Sequence, residues 1–247
     1  MKTDGNSNYY IERKDRYWRQ FGRFLRSSNR VIPRYLDTSS TGNMIEEIKA
    51  NFERFLGELP FVGGKGNILT SNLVSGAVAL AYIRALEKRG LTADTIGEVI
   101  NEIYADVLSS LPWFVKWFFR WYLFSRSRLK KFKAFAVESQ LRRYPGNWVM
   151  EYVEGDGIDF DFGCDFTQCA IQMFFQKMGA EKYMPYLCAT DYTASRVFRS
   201  GLQRTMTLAL GGKCCDFRYK KNHPALPGLP LEGLPEYRNR RASMDPR

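Results

Sequence analysis

Histidine is almost absent: the single one, His223, sits beside Pro224 near the end of the 247-residue chain. A Ser-His-Asp or Cys-His arrangement built on it is therefore disfavoured, and any general base must be a carboxylate or a second thiolate. Acidic residues are also scarce against 37 Lys and Arg, which leaves a net charge of +11. Such a charge could attract nucleic acid, an anionic surface or small anions. No zinc-finger, recognition-helix or RNA-binding signature accompanies it, so no nucleic-acid partner is expected. Five cysteines cannot all pair within one chain. The polar start "MKTDGNSNYYIERKDR" lacks a signal-peptide core, so reduced thiols and a cytoplasmic location are the expectation. No apolar run reaches the roughly 20 residues that a membrane span needs. "FVGGKGN" departs from the P-loop pattern and reads as a loop between helices. There are no internal repeats.

What is present divides the chain by periodicity. Residues 1–145 read as mostly helical. "NMIEEIKANFERFLGEL" carries Ile45, Ile48, Phe52, Phe55 and Leu56 at helical spacing. A second helix, rich in small residues, stops at Gly90, and Thr92 caps a third. From Trp113 to Phe124 aromatics cover most of a helix circumference, interrupted by Lys116 and Arg120 on one face. Burial in the core or against a second subunit is the expectation, since each buried aromatic would contribute roughly 1.5–3 kcal/mol. Membrane contact through Trp113–Phe124 is the less favoured reading.

After Pro145 the period becomes two. "NWVMEYVE", a GDG turn and "IDFDFGCDF" read as a hairpin with Asp159 and Asp161 on one face. "TQCAIQMFFQKMG" reads as a helix capped by Thr167, and "EKYMPYLCATDYTASRVF" as another. "RTMTLALGGKCCDFRY" reads as a second hairpin turning on Gly211 and Gly212. It puts Cys215, Phe217 and Tyr219 on one face and Cys214, Asp216 and Arg218 on the other. The expected fold is α+β: a helical N-terminal half packed on a small antiparallel sheet of two hairpins (148–154 with 157–163, 202–210 with 213–220), with helices between them. Residues 1–145 and 146–222 would form one globular unit. The remainder, 223–247, holds five of the ten prolines and reads as a flexible tail that folding can spare.

Taken together, "DFTQCAIQMFF", "MPYLCATD" and "RTMTLALGGKCCDFRY" resemble the L-2-amino-thiazoline-4-carboxylic acid hydrolases. The resemblance rests on Cys169, Cys188, Cys215, Asp191, Arg204, Thr207, the Gly pair and the closing Cys-Asp-Phe-Arg. It covers about Trp148 to Tyr219 firmly and the helical half more loosely. The last hairpin is also similar to small-molecule-binding domains of the 4-vinyl-reductase type.

The hydrolase resemblance implies opening of a cyclic isothiourea that bears a carboxylate, giving a carbamoyl-cysteine. Arg204 and Arg218 could hold the carboxylate by two-pronged hydrogen bonds. Asp191, Asp216 or the Asp159/Asp161 face could pair with the amidinium. Thr207 and Asp161 complete the expected substrate-binding set. Cys169, expected in the first turn of its helix, is the preferred thiolate, since free N–H groups there lower a thiol pKa. Asp191, one helical turn beyond Cys188, is the preferred base. No cofactor is required by the sequence. A divalent metal is left open, with Cys169, Cys188 and Cys215 as its ligands if present. The partner expected is a small-molecule substrate, and a homo-oligomer is compatible. The alternatives are a non-catalytic small-molecule-binding domain and a peripheral membrane or protein-interaction module.

Overall fold

The computed structural model describes residues 8–37 and 41–244. The first seven residues of the polar N-terminal stretch and the last three of the tail lie outside the described residues. The chain begins with α1 (Asn8–Ile11), α2 (Lys14–Val31), α3 (Met44–Glu58), α4 (Thr70–Glu87), α5 (Ala93–Ser109), α6 (Trp113–Leu123) and α7 (Arg126–Gln140). Then come β1 (Val149–Glu154), β2 (Phe162–Gln168), α8 (Ala170–Lys177), α9 (Met184–Phe198), β3 (Cys215–Tyr219) and α10 (Pro235–Met244).

The centre is α4. Its run of Ala, Val, Leu and Gly is apolar on almost every side, and such a helix must be surrounded. Leu73, Val74, Ala77, Leu80 and Tyr82 are all buried. The small residues let neighbours approach: a Cβ on Gly76 would lie 3.1 Å from Ile171 on α8. Helices α3, α5 and α8 pack around α4, and α9 lies along α5. The start of α5 is written locally, with Thr92 accepting the Thr95 amide as a cap.

The sheet is antiparallel, in the order β1-β2-β3. It is one three-stranded sheet, not the two hairpins expected from alternation. Residues 202–210 form no strand. Only Gln203 bridges to Arg218, and Leu208–Leu210 is a short 3₁₀ turn. The reason lies in Asp216, whose carboxylate accepts the Thr205 and Met206 amides at 2.9 and 2.8 Å, while the Cys215 thiol accepts the Leu208 amide at 3.2 Å. Side chains thus take the donors that a ladder would have used. Residues 157–161 are likewise a turn, held where Asp156 accepts the amides of Ile158, Asp159 and Phe160.

In the register Phe162 faces Tyr219, Cys164 faces Phe217 and Phe166 faces Cys215. The alternation therefore puts Phe162, Cys164, Phe166, Cys215, Phe217 and Tyr219 on the inner face. Arg218 and Asp165 pair on the outer face at 2.6 Å.

Two segments differ from their composition. Beyond Pro224 the chain is not left extended: Leu231 and Leu234 are buried, and α10 brings Glu236 into the interior at 3% exposure. Conversely, α6 contributes no buried residue. Its aromatics encircle the helix, and one neighbour can cover only one side. Phe119 stacks on Phe198 of α9 at 4.2 Å, while Trp113, Trp117, Phe118 and Trp121 remain exposed. Among the described residues no helix is long and apolar enough to cross a membrane.

Candidate active site: an internal cavity with thiols and a carboxylate

A cavity of about 400 Å³ lies between the inner sheet face and the helices. Its walls come from α4 (Gly76, Tyr82), α5 (Ile103, Tyr104), α6 (Phe119, Leu123), α7 (Arg128, Phe132), β2 and β3 (Cys164, Cys215, Phe217) and α9 (Cys188, Asp191). Trp148 and Cys169 also line it. Most of the surface is aromatic or aliphatic, and the chemistry is concentrated in four thiols, one carboxylate and one guanidinium.

Asp191 is placed by α9, one turn after Cys188, so both side chains address the same space. The carboxylate is deep in the molecule yet 42% accessible, because it faces the cavity. Burial pushes its pKa above the ordinary carboxylate value, Arg204 pulls it down, and Glu236 adds a further upward push.

Arg204 is fully withdrawn from the cavity. It donates to Asp191 at 3.0 Å, to the Cys188 carbonyl at 3.1 Å, and to Glu236 at 3.1 Å from Nε and 2.7 Å from Nη2. Its guanidinium also lies over the rings of Tyr192 and Phe217. The Tyr192 hydroxyl donates to Glu236 at 2.9 Å. Arg204 is therefore spent within the protein, where it fixes the rotamer of Asp191.

Cys169 is the N-cap of α8, one residue ahead of its expected place in the first turn. Strand β2 continues to Gln168 because that side chain donates to the Pro145 and Asn147 carbonyls at 2.9 and 2.5 Å. Thr167 accordingly lies in the strand and does not cap the helix. The Cys169 thiol pKa is raised, opposite to the expected direction. Burial dominates, against the amides of Gln172 and Ile171 and the Trp148 indole, which favour the thiolate. Burial likewise raises Cys188, and pushes Cys164 and Cys215 up to about 12. Cys188 and Cys215 each also feel Cys169 and Asp191. One negative charge in this cluster therefore opposes a second. Among the described residues no group of three or more His, Cys, Asp or Glu side chains has the arrangement of a metal site. The thiols of Cys169, Cys188 and Cys215 share a cavity without forming such a ligand set.

The remaining expected residues are not cavity-lining. Arg218 pairs with Asp165, Asp216 holds the 205–206 backbone, and Asp161 accepts the Lys221 amide at 2.7 Å. Asp159 lies in the turn that precedes β2. Thr207 is buried, and its hydroxyl has no hydrogen-bond partner among the described residues. Cys214 lies outside the cavity, with its thiol 3.7 Å from the Met206 sulfur.

Arg128 has no site role in the sequence pattern, where it is one member of a basic run. In the fold it lines the cavity, held over the Phe132 ring at 4.4 Å. No ion pair to a carboxylate engages it among the described residues. Burial presses its pKa down. Only the start of α7, capped by Ser125, could have hinted that Arg128 and Phe132 share a face at i, i+4 spacing.

No curated protein and no solved structure matches the chain. A family model does, over residues 71–219, which takes in α4 to α7 as well as the sheet, α8 and α9. Every cavity residue named above falls within that span. The chain belongs to the L-2-amino-thiazoline-4-carboxylic acid hydrolase family.

Proposed function

We propose that the protein is a hydrolase that opens a small cyclic amidine or isothiourea bearing a carboxylate, with 2-aminothiazoline-4-carboxylate as the first substrate to consider. The observation that carries this reading is Asp191: an ionisable carboxylate, raised by burial, fixed by Arg204 and bared to a cavity that also holds Cys169. A carboxylate with a raised pKa is a better base, and the resting thiol needs one, since burial keeps it protonated.

In this mechanism Asp191 accepts a proton as Cys169 adds to the amidine carbon. The α8 amides and the Trp148 indole favour charge on Cys169 over the other thiols, so Cys169 is the nucleophile. Collapse of the adduct breaks the ring C–heteroatom bond as the heteroatom takes the proton held by Asp191; water then adds to the same carbon, and the C–S bond to Cys169 breaks to return the thiol. Arg128 receives the substrate carboxylate, because Arg204 is committed to Asp191 and Glu236.

The test is single-turnover kinetics with intact-protein mass measurement. A transient adduct on wild type that is absent from Cys169→Ser, with turnover largely lost, supports the nucleophile. Full activity in Cys169→Ser leaves water as the nucleophile, activated by Asp191. The apolar walls also favour a second reading, a non-catalytic domain that binds an apolar acid. Tight binding of such an acid with no turnover of any cyclic amidine would select it.

A further inference from the structure

Helix α6 stands apart from the cavity chemistry as an unpartnered surface. Trp113 is 76% exposed, and Phe114, Trp117, Phe118 and Trp121 are each at least half exposed. Monomers rarely leave so large a contiguous aromatic surface to water. Its surroundings have one sign of charge. No Asp or Glu occurs between Trp113 and Val137, whereas Lys116, Arg120, Arg126, Lys130 and Lys131 do. Arg120, Arg126 and Lys130 make no ion pair among the described residues. On the side of α6 that faces the end of α9, a groove of about 410 Å³ is lined by Trp113, Lys116, Trp117 and Arg120. Two cations thus sit one helical turn apart, beside two indoles, in a concave site open to solvent.

We propose that α6 is a docking surface for anionic phospholipid bilayers. The helix lies in the headgroup plane, with Phe114, Phe118 and Trp121 toward the acyl chains and a lipid phosphate between Lys116 and Arg120. Three features single out this occupant. The helix has 11 residues and so lies along a bilayer instead of spanning it. Tryptophan, tyrosine and snorkelling Lys and Arg are the side chains suited to the boundary between headgroups and hydrocarbon. A second copy would bring two cationic faces together on a chain already at +11, whereas an anionic surface attracts them. Phe119 and Leu123 of the same helix line the internal cavity, so the docked face is the outer side of a cavity wall.

Co-sedimentation of the full chain with phosphatidylcholine vesicles, with and without phosphatidylserine, tests the proposal. Binding is expected only with phosphatidylserine and should be reversed by salt. Each basic residue near such a surface contributes about fivefold, so Lys116→Gln/Arg120→Gln should weaken binding by roughly 25-fold. Trp117→Ala/Trp121→Ala should weaken it about tenfold or more, by removing apolar area from the interface. All four side chains are largely outside the core, so melting temperatures should hold and loss of binding can be read directly. Absence of binding to either vesicle would overturn the proposal. So would equal binding to both vesicles that neither variant changes. A concentration-dependent dimer in lipid-free buffer, abolished by Trp117→Ala/Trp121→Ala, would assign the face to a second copy instead.

Discussion

Replacing Glu236 by alanine takes away the acceptor for Arg204 Nε and Nη2 and for the Tyr192 hydroxyl. The Arg204 and Glu236 side chains are 0% and 2% exposed, so neither can recover those bonds from water. Removing one partner of a buried pair typically costs about 3–5 kcal/mol, because the charge left behind keeps its desolvation penalty. Arg204 retains Asp191 and the Cys188 carbonyl, so the low end, about 3 kcal/mol, is expected. For a chain of this size that lowers Tm by about 6–12 °C. Truncation after Asn222 should cost more, since burial of Leu231 and Leu234 is lost as well, at roughly 1.5–3 kcal/mol each. Thermal melts and urea titrations of the variants against wild type measure this. A truncated chain with an unchanged melting temperature and urea midpoint would refute the docking of the C-terminal segment and the role given to Glu236.

The same carboxylate tunes the proposed base, and the isosteric Glu236→Gln isolates that effect. Glu236 pushes the Asp191 pKa up, so removing its charge lets that pKa fall. Asp191 must be ionised to act as a base, so the acidic limb of kcat/KM in Glu236→Gln should move to lower pH. Because the folded pKa of Asp191 lies above its unfolded value, the native state binds more protons in the window between them. Stability contributed there is present below the unfolded pKa and is lost as pH rises through the folded pKa. In Asp191→Asn that pH-dependent loss should disappear.

Two substitutions probe packing and recognition. Gly97→Ala would drive a Cβ into the Tyr186 ring where α5 and α9 meet, so equilibrium unfolding should show a loss of about 1–3 kcal/mol. Arg128→Gln should raise KM for a carboxylate-bearing ring far more than for its uncharged amide, with kcat little changed. Equal effects on both substrates would remove Arg128 from carboxylate recognition.

Local signals were legible where local chemistry decides the structure. The heptad-like apolar spacing of α3, the Thr92 cap and the alternation of β1 each lead directly to the observed element. The alternation over 204–210 is real, but the Asp216 carboxylate and the Cys215 thiol take the amides a ladder would use, and Arg204 serves Glu236, 32 residues later. No short window contains that partner. The C-terminal segment departs from its composition for the same reason: two leucines and one glutamate make its contacts, while its prolines dominate the composition. For the site, the cysteine and Asp191 positions followed from family-like motifs, whereas Arg128 required knowing that α7 closes the cavity. The Cys169 thiol shows the limit of a terminus argument. Helix amides favour the thiolate as anticipated, but the depth of the cavity, which no local pattern encodes, outweighs them.

The most direct measurement is turnover of 2-aminothiazoline-4-carboxylate by the purified wild-type chain beside Asp191→Asn, with the ring-opened product followed by mass spectrometry. The expected result is steady product formation by the wild type and a fall of roughly 10²-fold or more in kcat for Asp191→Asn, with KM little altered, as for loss of a general base. Ring opening by Asp191→Asn at the wild-type rate, or no opening of this or any related cyclic amidine by the wild type, would contradict the account.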